Sequence, residues 1–86
     1  MMKIQLKFFA SVREKLGVST ETLELDDGNY SASEIRKLLI ARGGVWAEVL
    51  ADERALRMAY MQVMVNGDVL VGDGGELAFF PPVTGG

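Results

Sequence analysis

Eighty-six residues, 49% apolar and 24% charged, make one globular domain with a thin core, since so short a chain buries only about 60% of its unfolded surface. With neither cysteine nor histidine, it has no disulfide, thiolate metal site, cysteine nucleophile or persulfide, and it lacks the commonest general base. A net charge of −3 gives no basic footprint for nucleic acid, and no stretch approaches the ~20 apolar residues of a membrane span.

Residues 1–5 alternate polar and apolar from the start, unlike a signal peptide, so the cytoplasm is the expected compartment. Met2, Ile4, Leu6 and Phe8 share one side of a period-2 pattern, which predicts a half-buried strand. Residues 9–16 shift to helical spacing, with Phe9, Val12 and Leu16 on one face and Gly17 as the stop. Residues 20–25 alternate again, and Asp26-Asp27-Gly28-Asn29 is a turn cluster. Ser31-Ala32-Ser33-Glu34 matches a capping box and opens the main helix. Ile35, Leu38, Leu39 and the stem of Arg42 form its expected buried stripe, and Gly43-Gly44 ends it.

Residues 46–50 predict a short helical piece with Trp46, Val49 and Leu50 apolar, and residues 52–57 a charged, exposed connection. Residues 60–65 read as one strand, with Met61 sharing the core parity of Val63 and Val65 and Met64 pointing the other way. Asn66-Gly67 is a hairpin signal, with residues 69–71 as the return strand. Residues 72–75 turn the chain, residues 76–80 form the last strand, and Pro81-Pro82 stops it. One main helix against four or five strands predicts an α+β domain with the helix on one face of a sheet. Strand order cannot be read from this pattern.

The ending Phe80-Pro81-Pro82-Val83-Thr84-Gly85-Gly86 carries the candidate chemistry. The prolines fix φ near −65° and make the preceding residue extended, so the tail leaves the sheet stiffly. From Pro81 to Gly86 it reaches about 20 Å when extended. Gly85 and Gly86 have no side chains, leaving a thread that fits a narrow tunnel with the Gly86 carboxylate at its tip. Phe80 has the parity opposite to Leu77 and Phe79, so it and Met64 are the candidate partner contacts. Asp26-Asp27 and Asp52-Glu53 suit turn and surface roles better than a metal site.

Three stretches give a more specific resemblance: Phe8-Phe9-Ala10-Ser11-Val12-Arg13-Glu14, Val65-Asn66-Gly67, and Gly74-Gly75-Glu76-Leu77-Ala78-Phe79-Phe80 leading into Pro81-Pro82-Val83-Thr84-Gly85-Gly86. Nearly end to end, the chain resembles the MoaD family, the small subunits of molybdopterin synthase, within the ubiquitin-like sulfur carriers that include ThiS. Residues 67–75 depart from the family in being a few residues shorter and lacking its hydrophobic-rich segment.

The resemblance implies a β-grasp domain over residues 1–80 and an extended, flexible tail over 81–86. It implies that a MoeB-like, E1-like enzyme uses ATP to adenylate Gly86, which a sulfur donor converts to a thiocarboxylate. The tail then gives sulfur to cyclic pyranopterin monophosphate inside a MoaE-like large subunit that supplies the catalytic side chains, in a heterotetramer. No tightly bound cofactor is implied. Other readings are a carrier for thiamine synthesis or tRNA thiolation, a ubiquitin-like modifier, and an interaction domain with an inert tail.

Overall fold

The computed structural model describes residues 1–82. In chain order the elements are β1 (Met2–Phe8), α1 (Ala10–Leu16), β2 (Thr20–Leu25), β3 (Tyr30–Ser31), α2 (Ala32–Ile40), α3 (Gly44–Leu50), β4 (Arg57–Tyr60), β5 (Val63–Val65), β6 (Leu70–Val71) and β7 (Glu76–Phe80). Five strands form a mixed sheet in the order β2-β1-β7-β4-β5, and β3 and β6 make a separate small ladder. β1 and β7 are parallel in the middle; the other main-sheet pairs are antiparallel.

Strand alternation decides what lies beneath the sheet. Ile4, Leu6 and Phe8 of β1 and Leu77 and Phe79 of β7 are buried on one face, joined by Ile35 and Leu39 of α2 and Leu50 of α3. Phe8 stacks on Phe79 at 5.9 Å and meets the edge of Trp46 at 5.6 Å, so the aromatic pairs tie the short α3 to the central strands. Each fully buried side chain of this size contributes roughly 1.5–3 kcal/mol. No helix among the described residues is long and apolar enough to cross a membrane.

The capping box at Ser31 and Glu34 forms as expected, with both reciprocal bonds at 3.1 Å. Residues 66–71 complete the cap: Ala32 N–H donates to the Val69 carbonyl at 2.9 Å and Ser33 N–H to the Gly67 carbonyl at 3.0 Å. The first three amides of α2 are thus satisfied by other parts of the chain. Gly67 is required there, because a Cβ would fall 1.7 Å from Ser33 Oγ.

This placement overturns the hairpin expected at Asn66-Gly67. Asn66 accepts from the Asp68 amide in a local turn, and Leu70–Val71 pairs with Tyr30–Ser31 rather than with β5. The hairpin lies earlier, at Met61-Gln62, and divides the expected strand over 60–65 into β4 and β5. Its two loop residues have φ of 52° and 69°, a left-handed pair that hairpins normally fill with Asn-Gly. A strand signal that contains neither residue hides the turn.

Four other expectations change for related reasons. Met61, expected in the core, sits in this turn and is 54% exposed. Leu38 is 43% exposed, because the buried stripe of α2 is Ala32, Ile35, Arg36 and Leu39, the spacing i, i+3, i+4, i+7. Phe9 belongs to the strand's alternation rather than to the face of α1. Its amide donates to the Phe79 carbonyl at 3.1 Å, and the ring is 44% exposed. Arg42 is exposed rather than core: its guanidinium lies over the face of Trp46 at 4.5 Å and pairs with Glu21, whose carboxyl this hydrogen bond holds below its usual 4.5. The charged connection over 52–57 is exposed as expected except for half-buried Leu56, and Arg57 already begins β4.

Gln62→Gly exchanges the ~1–2 kcal/mol left-handed penalty of a side-chain residue for ~0.5–1 kcal/mol of glycine backbone entropy. In thermal melts the midpoint is expected to rise by a few degrees, whereas β-branched Gln62→Val lowers it; the reverse order would contradict the turn geometry.

Candidate functional site

The sheet face opposite the helices holds the candidate partner residues. Register places Lys7, Ala78, Ala59 and Met64 in one row across β1, β7, β4 and β5. Arg57 and Phe80 pair in the next row, toward the tail. Ala59 and Ala78 point outward by parity yet are nearly covered, because short side chains lie low between longer neighbours. They form an apolar floor.

The rim of that floor is aromatic on the tail side. Phe80 is half-buried, and its ring meets Phe9 edge to face at 6.3 Å. Phe9 reaches it because β1 holds its pairing with β7 through that residue, after which the chain turns into α1 at Ala10 with φ of 51°. Phe80 therefore neither stands alone nor packs into the core. Met64 is 51% exposed on the far rim, and Lys7 pairs with Glu76 at 3.6 Å along another edge.

Pro81 and Pro82 follow β7 at this end of the sheet, both half-buried. They stand directly beyond the Phe9–Phe80 pair, so the start of the tail and the apolar floor share one end of the molecule. Val83, Thr84, Gly85 and Gly86 lie outside the described residues. The structure thus brings together Phe80, Met64, Pro81 and Pro82. It adds three residues the sequence reading passed over: Phe9, Ala59 and Ala78. Extending the β1 alternation by one residue would have found Phe9. The alanines became visible only with the register, since alanine carries no partner signal of its own.

The parallel central pair, the antiparallel flanking strands and a main helix across one face define a ubiquitin-like β-grasp domain. A family model described as the ThiS family matches residues 6–86. The chain belongs to that family. It is 37% identical over 83 residues to the molybdopterin synthase sulfur carrier subunit of Haemophilus influenzae, and 40% identical over 83 residues to that of Escherichia coli; each alignment covers 96% of this chain and 99% of the relative. A solved complex of subunits 1 and 2 of the molybdopterin-converting factor from Helicobacter pylori contains a chain with the same fold. It has a TM-score of 0.66 and 20% identity, with 99% of this chain and 100% of that chain covered.

The edge-to-face contact of Phe9 with Phe80 should show in a double-mutant cycle. Phe9→Ala and Phe80→Ala, singly and together, are expected to give a coupling of about 0.5–1.5 kcal/mol in denaturant unfolding. Additive effects would mean that neither ring positions the other.

Proposed function

We propose that this chain is the sulfur-carrier subunit of a molybdopterin synthase and holds sulfur as a thiocarboxylate on Gly86. The observation that carries this reading is the near full-length likeness to two subunits named for that role. Composition supports it: without cysteine the chain has no thiol to make a persulfide, which leaves an acyl carbon as the place for transferable sulfur.

The chemistry follows from the carboxylate. It is a poor acyl donor because no leaving group is present. Attack of a Gly86 oxygen on the α-phosphorus of ATP, in an E1-like adenylating enzyme, releases pyrophosphate and forms a mixed anhydride. A sulfur nucleophile then attacks the acyl carbon and expels AMP, giving the thiocarboxylate after release from the donor. In the synthase two such sulfurs, one from each charged carrier, pass to cyclic pyranopterin monophosphate to build the dithiolene, and water returns each tail to a carboxylate. ATP belongs to the activating enzyme, and this chain needs no resident cofactor.

Division of labour fits the fold. Phe9, Phe80, Met64 and the Ala59–Ala78 floor offer a docking face with aromatic anchors beside the tail. Pro81 and Pro82 set the direction in which Val83, Thr84, Gly85 and Gly86 leave for a partner's tunnel. The catalytic side chains then belong to the large subunit, two copies of each subunit forming a heterotetramer. A cytoplasmic setting, where ATP is available for activation, completes the reading.

Incubation with an activating enzyme, ATP and a sulfur source is expected to raise the intact mass by the difference between sulfur and oxygen, and deletion of Gly86 to abolish the gain with folding intact. An unchanged mass with a competent enzyme would remove the carrier reading, and lysine conjugates in its place would favour a protein modifier. Phe80→Asp is expected to weaken large-subunit binding by about tenfold or more while the circular dichroism spectrum is retained. Unaltered affinity would confine Phe80 to a structural role.

A further inference from the structure

Two open clefts flank the start of the tail. One, of about 260 Å³, lies between Ser11 and Lys15 of α1, Val49 of α3, and Pro81-Pro82. The other, of about 380 Å³, lies toward Met64, Val65 and Gly67 and shares Pro82. Ala55 and Leu56 line both, so the connection between α3 and β4 is the wall that separates them. The next residue, Arg57, pairs with Phe80. This wall therefore borders the start of the tail on both sides.

The wall has little regular structure to define it. Locally, Arg54 N–H donates to the Ala51 carbonyl at 2.9 Å and Leu56 N–H to the Arg54 carbonyl at 2.8 Å. Arg54 Nε donates to the Glu48 carbonyl at 3.2 Å. The side-chain bonds that tie it to α2, among the described residues, all come from Arg36. Arg36 Nε donates to the Leu50 carbonyl at 2.7 Å, and one terminal nitrogen donates to the Ala51 and Arg54 carbonyls at 2.6 and 3.0 Å.

Arg36 is only 9% exposed and forms no ion pair among the described residues. Its position in the buried stripe of α2 is one that leucine or methionine fills at lower desolvation cost. What an apolar residue cannot do is hold three carbonyls of an irregular segment at fixed positions. The guanidinium can, because its donors form a rigid planar fork, whereas a lysine ammonium supplies only a point charge on a flexible stem.

We propose that Arg36 is a positioning residue for partner docking: through the Leu50, Ala51 and Arg54 carbonyls it fixes the wall beside Pro81-Pro82 on which the large synthase subunit seats. The proposal rests on the carrier reading above. Arg36 acts through the backbone of the connection, by its bonds to these three carbonyls.

The test compares Arg36→Lys and Arg36→Met with Leu39→Ala, a core truncation on the same helix, at a temperature where all are folded. Hydrogen exchange of the free proteins is read at the Arg54 and Leu56 amides, and affinity for the large subunit is measured by calorimetry. Both Arg36 variants are expected to speed exchange at those amides, and to weaken binding by about tenfold for Met and less for Lys, the effect of misplacing a docking surface rather than deleting an anchor. Leu39→Ala is expected to lower the melting temperature while keeping affinity within about twofold of the parent, since it removes none of the hydrogen bonds that hold the wall. Should Arg36→Met not fold, Arg36→Lys decides. Unchanged exchange at Arg54 and Leu56 overturns the proposal with no partner present, as does unchanged affinity, or equal weakening by Leu39→Ala. A parent chain that binds no large subunit counts against the carrier reading instead.

Discussion

At the centre of the sheet β1 and β7, from opposite ends of the chain, lie parallel, with Leu6 beside Leu77 and Phe8 beside Phe79. Parallel neighbours cannot be joined by a tight turn, so every other element must be fitted into the crossover between them. That crossover lays α2 and α3 across one face and leaves the other face uncovered. The same pairing fixes where the chain leaves the sheet, because the end of β7 is held against the end of β1 through the amide of Phe9. Core, docking face and tail exit are therefore consequences of one ladder. A one-residue slip in it would turn Leu77 and Phe79 outward and Phe80 into the core.

The uncovered face suits the carrier role proposed above. Such a protein hands its cargo on and must leave, so a large obligate interface would work against turnover. The alanine floor with Phe9, Phe80 and Met64 at its rim concentrates apolar contact in a few side chains next to the tail. Charged residues line the remaining edges, with Lys7 held to Glu76 and Arg57 beside Phe80. Contact of this kind would orient a partner without requiring it to stay. In the proposed reading the reactive side chains come from partner proteins, since this chain has neither cysteine nor histidine to offer.

Much of the fold could be read from residue order because burial follows period. The alternation in β1, the capping box at Ser31 and Glu34 and the strand before Pro81 all appear where residue spacing placed them. The errors share one cause, a local signal overruled by tertiary contact. Asn66-Gly67 has good hairpin chemistry, yet Gly67 is used for close approach to Ser33 and the segment caps α2. Met61-Gln62 has poor turn chemistry, yet pairing of Tyr60 with Val63 forces both residues into left-handed geometry. Of the site, Phe80 and Met64 were legible from parity, whereas the alanine floor required the lateral order of strands that residue spacing does not encode.

Arg36 shows why the least legible residues can matter most near a functional end. A helix stripe is read by looking for apolar side chains, and Leu38 satisfies that search better than an arginine does. The helix nevertheless turns Arg36 inward with Ile35 and Leu39 and leaves Leu38 in solvent. The reason lies outside α2: the carbonyls at the end of α3 and beyond it lack amide partners from any continuing helix, and the negative end of that helix favours a cation. Burial pushes the Arg36 guanidinium below its ordinary value, while Asp52 and Glu53 oppose that shift. Even so lowered, a guanidinium remains protonated across the physiological range, so its fork is held at every pH the cell presents. The connection it braces leads straight into Arg57 and its pairing with Phe80. Geometry at the start of the tail is thus set from beneath the sheet, by a charge enclosed in the helix layer rather than by the residues a partner meets.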